Sequence, residues 1–192
     1  MGARVYSERF GLKRSKSTGE FDLHALAAAL DEQRKARGLS WAGVIREMRG
    51  ASQRRGRGLS ASTLSGIGSR AVAEGDGVLP MLAWLKRSPE SFIAGYREPE
   101  GAQLPEGPAG KVRRFDTRKL FVALDARRID RGMTWAQVAA ETGWGVAGLR
   151  RLSQGGRIAF PAVMRLTLWL NQPTADFVGF ADRGRLPEWR TR

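Results

Sequence analysis

The chain has 192 residues, 42% of them hydrophobic, enough for one large or two small domains with a real core. Lys and Arg total 33 against 19 Asp and Glu, a net charge of +14, which favours a polyanionic partner: nucleic acid first, an anionic membrane surface second. The absence of Cys excludes disulfides, thiolate nucleophiles and sulfur-built zinc sites, and no apolar run approaches the ~18 residues of a membrane span.

Residues 1–20 read as a basic arm, with Arg4, Arg9, Lys13, Arg14 and Lys16 and little apolar content. No apolar stretch follows them, so no signal peptide is expected. A first helix is predicted from about Asp22 to Arg37, burying Leu23, Leu26, Ala27 and Leu30. His24, the only histidine, lies beside that stripe without an acid or second histidine nearby, and reads as a surface residue. Ser40 caps a second helix carrying Trp41, Val44 and Ile45. The run Arg49 to Arg57, with Arg54 and Arg55, suits phosphate contact or a solvated loop equally. A third helix runs from Ser60 to Ser69, with Leu64 and Ile67 inward and Ala61, Ser62, Thr63, Ser65 and Gly66 outward; Arg70 follows.

A fourth helix is expected over Leu79 to Lys86 with Pro80 in its first turn, then a short helix capped by Ser88 and holding Phe92 and Ile93. Residues 97–112 contain Pro99, Pro105 and Pro108 and read as an exposed, semi-extended linker. Lys111, Arg113 and Arg114 read as a second basic arm. The next helix begins at Asp116 and buries Leu120, Ala123 and Leu124. Gly132 closes it, and Thr134 caps a helix holding Trp135, Val138 and Ala139. Gly143 breaks that helix as a residue of positive φ would. A further helix runs from Val146 to Gln154 through Leu149 and Leu152, ended by Gly155 and Gly156. Pro161 to Leu170 is the last long helix; Phe177, Val178 and Phe180 close the fold, and residues 181–192 form a basic tail with Trp189.

The second half repeats the first. Phe21-Asp22 matches Phe115-Asp116 at an offset of 94, as do Leu26 with Leu120, Arg34 with Arg128, Arg37-Gly38 with Arg131-Gly132, and Ser40-Trp41-Ala42 with Thr134-Trp135-Ala136. The offset then falls to 85, pairing Leu64 with Leu149, Ile67 with Leu152, Trp84-Leu85 with Trp169-Leu170, and Phe92 with Phe177. The first copy therefore holds an insertion near Arg49 to Arg57. Two homologous domains in tandem are expected, at 21–96 and 113–180.

Two short helices joined by a three- or four-residue turn containing Gly make a helix-turn-helix. Thr134, Ala139, Gly143, Leu149, Leu152 and Gly155 together resemble the helix-turn-helix of the XRE, or Cro/cI phage-repressor-like, family. That resemblance implies an all-α fold of two tandem lambda-repressor-like five-helix domains, and a transcriptional regulator of the repressor type. Its recognition helices would lie in the major groove of double-stranded DNA. In the second copy the implied base-facing residues are Val146, Ala147, Gly148 and Arg151, with Gly145 and Arg150 beside them in the implied DNA-binding set. Gln154, Thr134 and Trp135 would lie on the backbone. In the first copy the matching residues are Ser60, Ala61, Ser62, Thr63, Ser65, Gly66, Ser69 and Arg70, with Ser40 and Trp41. Two departures stand out. Val146 and Ala147 replace the usual amide or hydroxyl readers, and Gly68 and Ser153 replace the acid that pairs with the arginine of the first helix. Arg34 and Arg128 are then expected to reach phosphate.

Other function classes are weaker. There is no P-loop, no His–acid cluster, and no metal spacing, so no enzyme, cofactor, metal or small-molecule ligand is expected. An RNA-binding regulator would use the same basic surface. A protein-interaction or antitoxin-like module, with one copy mediating dimerisation or partner binding, is the other alternative. A homodimer remains compatible with either. The expected location is the cytoplasm, on the nucleoid.

Overall fold

The computed structural model describes residues 21–49, 59–69, 73–93, 103–108 and 110–182, and these are mostly helical. The first copy comprises α1 (Leu23–Ala36), α2 (Trp41–Arg49), α3 (Ala61–Ser65) and α4 (Gly75–Leu85), with 3-10 turns at Ile67–Ser69 and Pro89–Phe92. The second comprises β1 (Lys111–Phe115), α5 (Thr117–Asp130), α6 (Trp135–Thr142), α7 (Val146–Arg151), α8 (Phe160–Leu170) and β2 (Val178–Asp182). Its 3-10 turns lie at Leu152–Gln154 and Thr174–Phe177. Both ends of α1 recur 94 residues on in α5, and both ends of α4 recur 85 residues on in α8.

The same local chemistry starts and stops matched helices. Asp22 accepts the Ala25 N–H and Asp116 the Lys119 N–H, each at 2.9 Å, satisfying an orphan donor of the first turn. Thr134 and Gln137 form a reciprocal capping box on α6. Gly143 ends α6 at φ 68°, a conformation that costs glycine little. Lys86 and Asn171 end α4 and α8 in the left-handed region, at φ 54° and 57°.

Among the described residues the chain departs from the expected all-α fold in a small sheet. β1 and β2 form a two-stranded antiparallel sheet, in register from Lys111↔Asp182 to Phe115↔Val178. Among the described residues the matched contact in the first copy is the bridge Phe21↔Ile93. Lys-Val-Arg-Arg-Phe lacks the alternation that marks a strand; it is extended because its partner, distant in sequence, supplies the ladder. Lys111, Arg113 and Arg114 are thus strand residues and not a free arm. Ala181 and Asp182, expected in the basic tail, belong to β2. Most of the described linker residues are exposed, as expected, but the segment is anchored at points. Leu104 is buried, the Pro105 carbonyl accepts from Arg113 Nε at 3.0 Å, and Gly107 lies flat against the Phe180 ring.

Helix α4 starts at Gly75, four residues before Leu79, so Pro80 sits inside it. Pro in a helix interior removes one backbone bond. The early start comes from tertiary pairing: Glu74 bridges Ala159 at the head of α8.

One continuous apolar core runs through both copies, from Leu26, Leu30, Val44 and Leu64 to Leu124, Val138, Leu149 and Phe160. Burying each such side chain contributes about 1.5–3 kcal/mol. Where the copies meet, Gly75 N–H donates to the Ile158 carbonyl at 2.8 Å and Phe160 N–H to the Ala73 carbonyl at 2.9 Å. At the 85-residue offset these two bonds are each other's counterparts. Reciprocal contacts of this kind mark an isologous, two-fold interface and not a head-to-tail one. Ring packing obeys the same exchange. Phe160 meets Phe21 edge-on at 4.4 Å, and its counterpart Gly75 lies against Phe115.

Candidate nucleic-acid interface

The second helical pair is set by a small number of contacts. Val138 and Leu149 are fully buried between α6 and α7, and Ala139 packs against the same core. Thr142 ends α6 with its hydroxyl on the Val138 carbonyl, at 2.8 Å. What remains outside is the far side of α7 and the turn after it. Gly145, Ala147, Arg150, Arg151, Ser153 and Gln154 are exposed; Val146 and Gly148 are half-exposed. Among the described residues neither Arg150 nor Arg151 is paired with a carboxylate. Arg118, in the first turn of α5, donates to the Gln154 carbonyl at 3.2 Å, which brings a third guanidinium to the end of α7.

Trp144 was not legible as a site residue, yet its indole covers the first turn of α7. A Cβ on Gly148 would come within 3.0 Å of that ring. Gly148 is therefore a seat for Trp144, and it stays half-exposed. Thr134 is exposed, but its hydroxyl and N–H serve the capping box. Trp135 is stacked on Phe121, with ring centroids 5.2 Å apart and 16° between planes.

The first copy presents a different surface. Ser60, Ala61, Ser62, Ser65 and Ser69 are exposed, and Thr63 and Gly66 half-exposed. Their hydroxyls are largely used locally. Ser60 Oγ lies 2.9 Å from Ser62 Oγ and 2.8 Å from Thr63 Oγ1 and accepts the Thr63 N–H, while Ser69 donates to the Gly66 carbonyl. Ser40 Oγ accepts the Gly43 N–H, and Trp41 is half-buried under Arg34. Arg4, Arg9, Lys13, Arg14, Lys16, Arg54, Arg55, Arg57 and Arg70 lie outside the described residues.

The strand cations are engaged. Lys111 pairs with Asp182 at 2.6 Å, and Arg114 Nε lies 3.6 Å from the buried Asp76 carboxylate. Burial pulls the Arg113 guanidinium below its ordinary pKa, partly offset by Glu106.

Arg34 and Arg128, expected at phosphate, are engaged within the fold. Arg34 grips Asp31 at 2.6 Å, donates to the Leu39 carbonyl at 2.8 Å and lies over Trp41. Arg128 grips Asp125 at 2.6 Å, donates to the Met133 carbonyl at 2.9 Å and lies over Trp135. In both copies the acid lies three residues back in the arginine's own helix. Each arginine then clamps its helix to the start of the next.

His24 is exposed, as the sequence suggests. Among the described residues no group of three or more potential ligands is placed to hold a metal, and no helix is long and apolar enough to cross a membrane. No protein-family model matches the chain, and no curated protein and no solved structure matches it.

Proposed function

We propose that the chain is a sequence-specific double-stranded-DNA-binding regulator of the XRE type, built from two tandem lambda-repressor-like helix-turn-helix units. The observation that carries this reading is the α6–Gly143–α7 unit. A capped helix, a glycine turn and a short second helix hold Arg150, Arg151 and Gln154 outward on a rigid apolar base. A helix of this width fits the major groove. Guanidinium groups there bond guanine O6 and N7 bidentately, and Val146 and Ala147 suit thymine methyl groups. The net charge of +14 adds the sequence-independent phosphate attraction that brings such a protein onto duplex DNA. Its place of work is then the nucleoid.

Selection from a random duplex library at near-physiological salt tests this. A recovered motif is the expected result. No enrichment, with single-stranded RNA bound as well as duplex, contradicts it. A protein-interaction role is favoured by one observation: α3 offers only small uncharged side chains. Retention of a protein partner with no duplex binding is the outcome that selects that reading.

A further inference from the structure

The two copies share one architecture and differ sharply in charge at one surface. At matched positions, Arg118 corresponds to His24, Arg150 to Ser65 and Arg151 to Gly66. Arg118 is bonded to the end of the Leu152–Gln154 turn, so all three guanidinium groups border α7. The equivalent border of α3 has no cation at these positions, and its exposed hydroxyls are partly satisfied within the helix.

The contact between the copies closes on itself. The Gly75–Ile158 and Phe160–Ala73 bonds exchange under an approximate two-fold, so one chain already holds two helical pairs related like the subunits of a dimer. Further contacts lock this arrangement and break its symmetry. Asp76 Oδ1 accepts the Phe115 N–H at 2.9 Å, where the matched residue of the second copy, Pro161, has no carboxylate. Glu90 Oε1 accepts the Thr174 N–H at 2.7 Å, where the matched residue is Ala175. Both bonds are buried. The seam between the two helical pairs is thus closed within one chain.

From this geometry we infer that a single chain occupies a single non-palindromic duplex site, gripped mainly through α7 and its bordering arginines. Helix α3 itself adds a weaker contact through uncharged side chains. This rests on the duplex-DNA reading and names the class of site: two unlike halves, one dominant.

The test uses the full chain and the duplex it selects. Sedimentation of the complex is expected to add one 21.1 kDa chain per duplex. Scrambling the dominant half-site abolishes selective binding, and scrambling the other only weakens it. Arg150→Ala and Arg151→Ala each lower affinity on the order of tenfold. Ser65→Ala and Ser69→Ala change it by about fivefold or less. Ser65→Arg, which places a guanidinium on α3, raises affinity and steepens the log–log salt dependence by about one unit. Two chains on an inverted repeat, or equal losses from α3 and α7 variants, overturn the inference and leave DNA binding intact. Failure to bind any duplex overturns both.

Discussion

The Trp169 indole N–H donates to Glu141 Oε2 at 2.7 Å, tying α8 to α6. Arg131 pairs with the same carboxylate at 3.0 Å and lies over the Trp169 ring. The first copy repeats the arrangement: Trp84 donates to Glu47 at 2.8 Å, and Arg37 pairs with Glu47 at 2.7 Å and lies over Trp84. The Arg–Glu–Trp unit thus fixes how the fourth helix of each copy sits against the second, and with it the base on which the third helix stands. Glu47 and Glu141 are recognisable only in the structure, because a carboxylate at that spacing reads as an ordinary solvated residue.

Trp169→Phe removes the donor to a charged acceptor while keeping most of the ring. The loss is expected at about 1–2 kcal/mol, reduced from the value of a buried charged bond because Glu141 is partly solvated. Denaturant unfolding measures it. Trp84→Phe is expected to follow the same direction.

The Glu141 carboxyl is pushed up by burial, but the Trp169 indole and Arg131 outweigh that and hold it below the usual carboxylate range. A carboxyl depressed in the folded state stabilises above its unfolded pKa and loses that contribution as pH falls. Stability is therefore expected to be flat near neutrality and to fall below about pH 4. Asp31 is lowered too, first by Lys35 and then by Arg34, and moves stability in the same direction. Glu141→Gln should flatten the acid limb of a stability–pH curve; an unchanged limb would remove Glu141 from this role.

Gly75→Ala tests the seam between the copies. A Cβ there would lie 2.8 Å from both the Ile158 carbonyl oxygen and the Phe115 ring, so backbone must move. A loss of about 1–3 kcal/mol is expected. Gly77→Ala, in the same helix with nothing within 4 Å, should instead gain about 0.5–1 kcal/mol from helix propensity. Thermal melts of the pair separate a crowded seam from a general intolerance of α4.

Asp76→Ala leaves the buried Phe115 N–H without its acceptor and is expected to cost about 1–3 kcal/mol. Asp76→Asn keeps an acceptor and should recover most of that. Hydrogen exchange at Phe115 provides the readout: fast in the Ala variant, slow in the Asn variant.

Periodicity and capping residues made the helices legible: Ser60, Ser88, Thr134 and Gly143 all act at helix ends where the sequence places them. The ordered matches between halves made the repeat legible, and α1 with α5, and α4 with α8, keep its offsets. What was hidden depends on partners distant in sequence. The β1 ladder, the early start of α4, the Asp76 and Glu90 bonds between copies, and the burial of Leu104 all arise from tertiary pairing. At the candidate surface Arg150, Arg151 and Gln154 are exposed. Trp144 and Arg118 were missed because their place beside α7 depends on a packed ring and on a bond 36 residues long in sequence.

The proposed role of α7 is to read duplex DNA through its outward arginines. The most direct measurement is a competition titration of wild type and Arg151→Ala on the selected duplex against a scrambled one. The specific-to-nonspecific ratio is expected to fall by the equivalent of about 1–3 kcal/mol, while nonspecific binding changes little. A ratio equal to that of the wild type would contradict it.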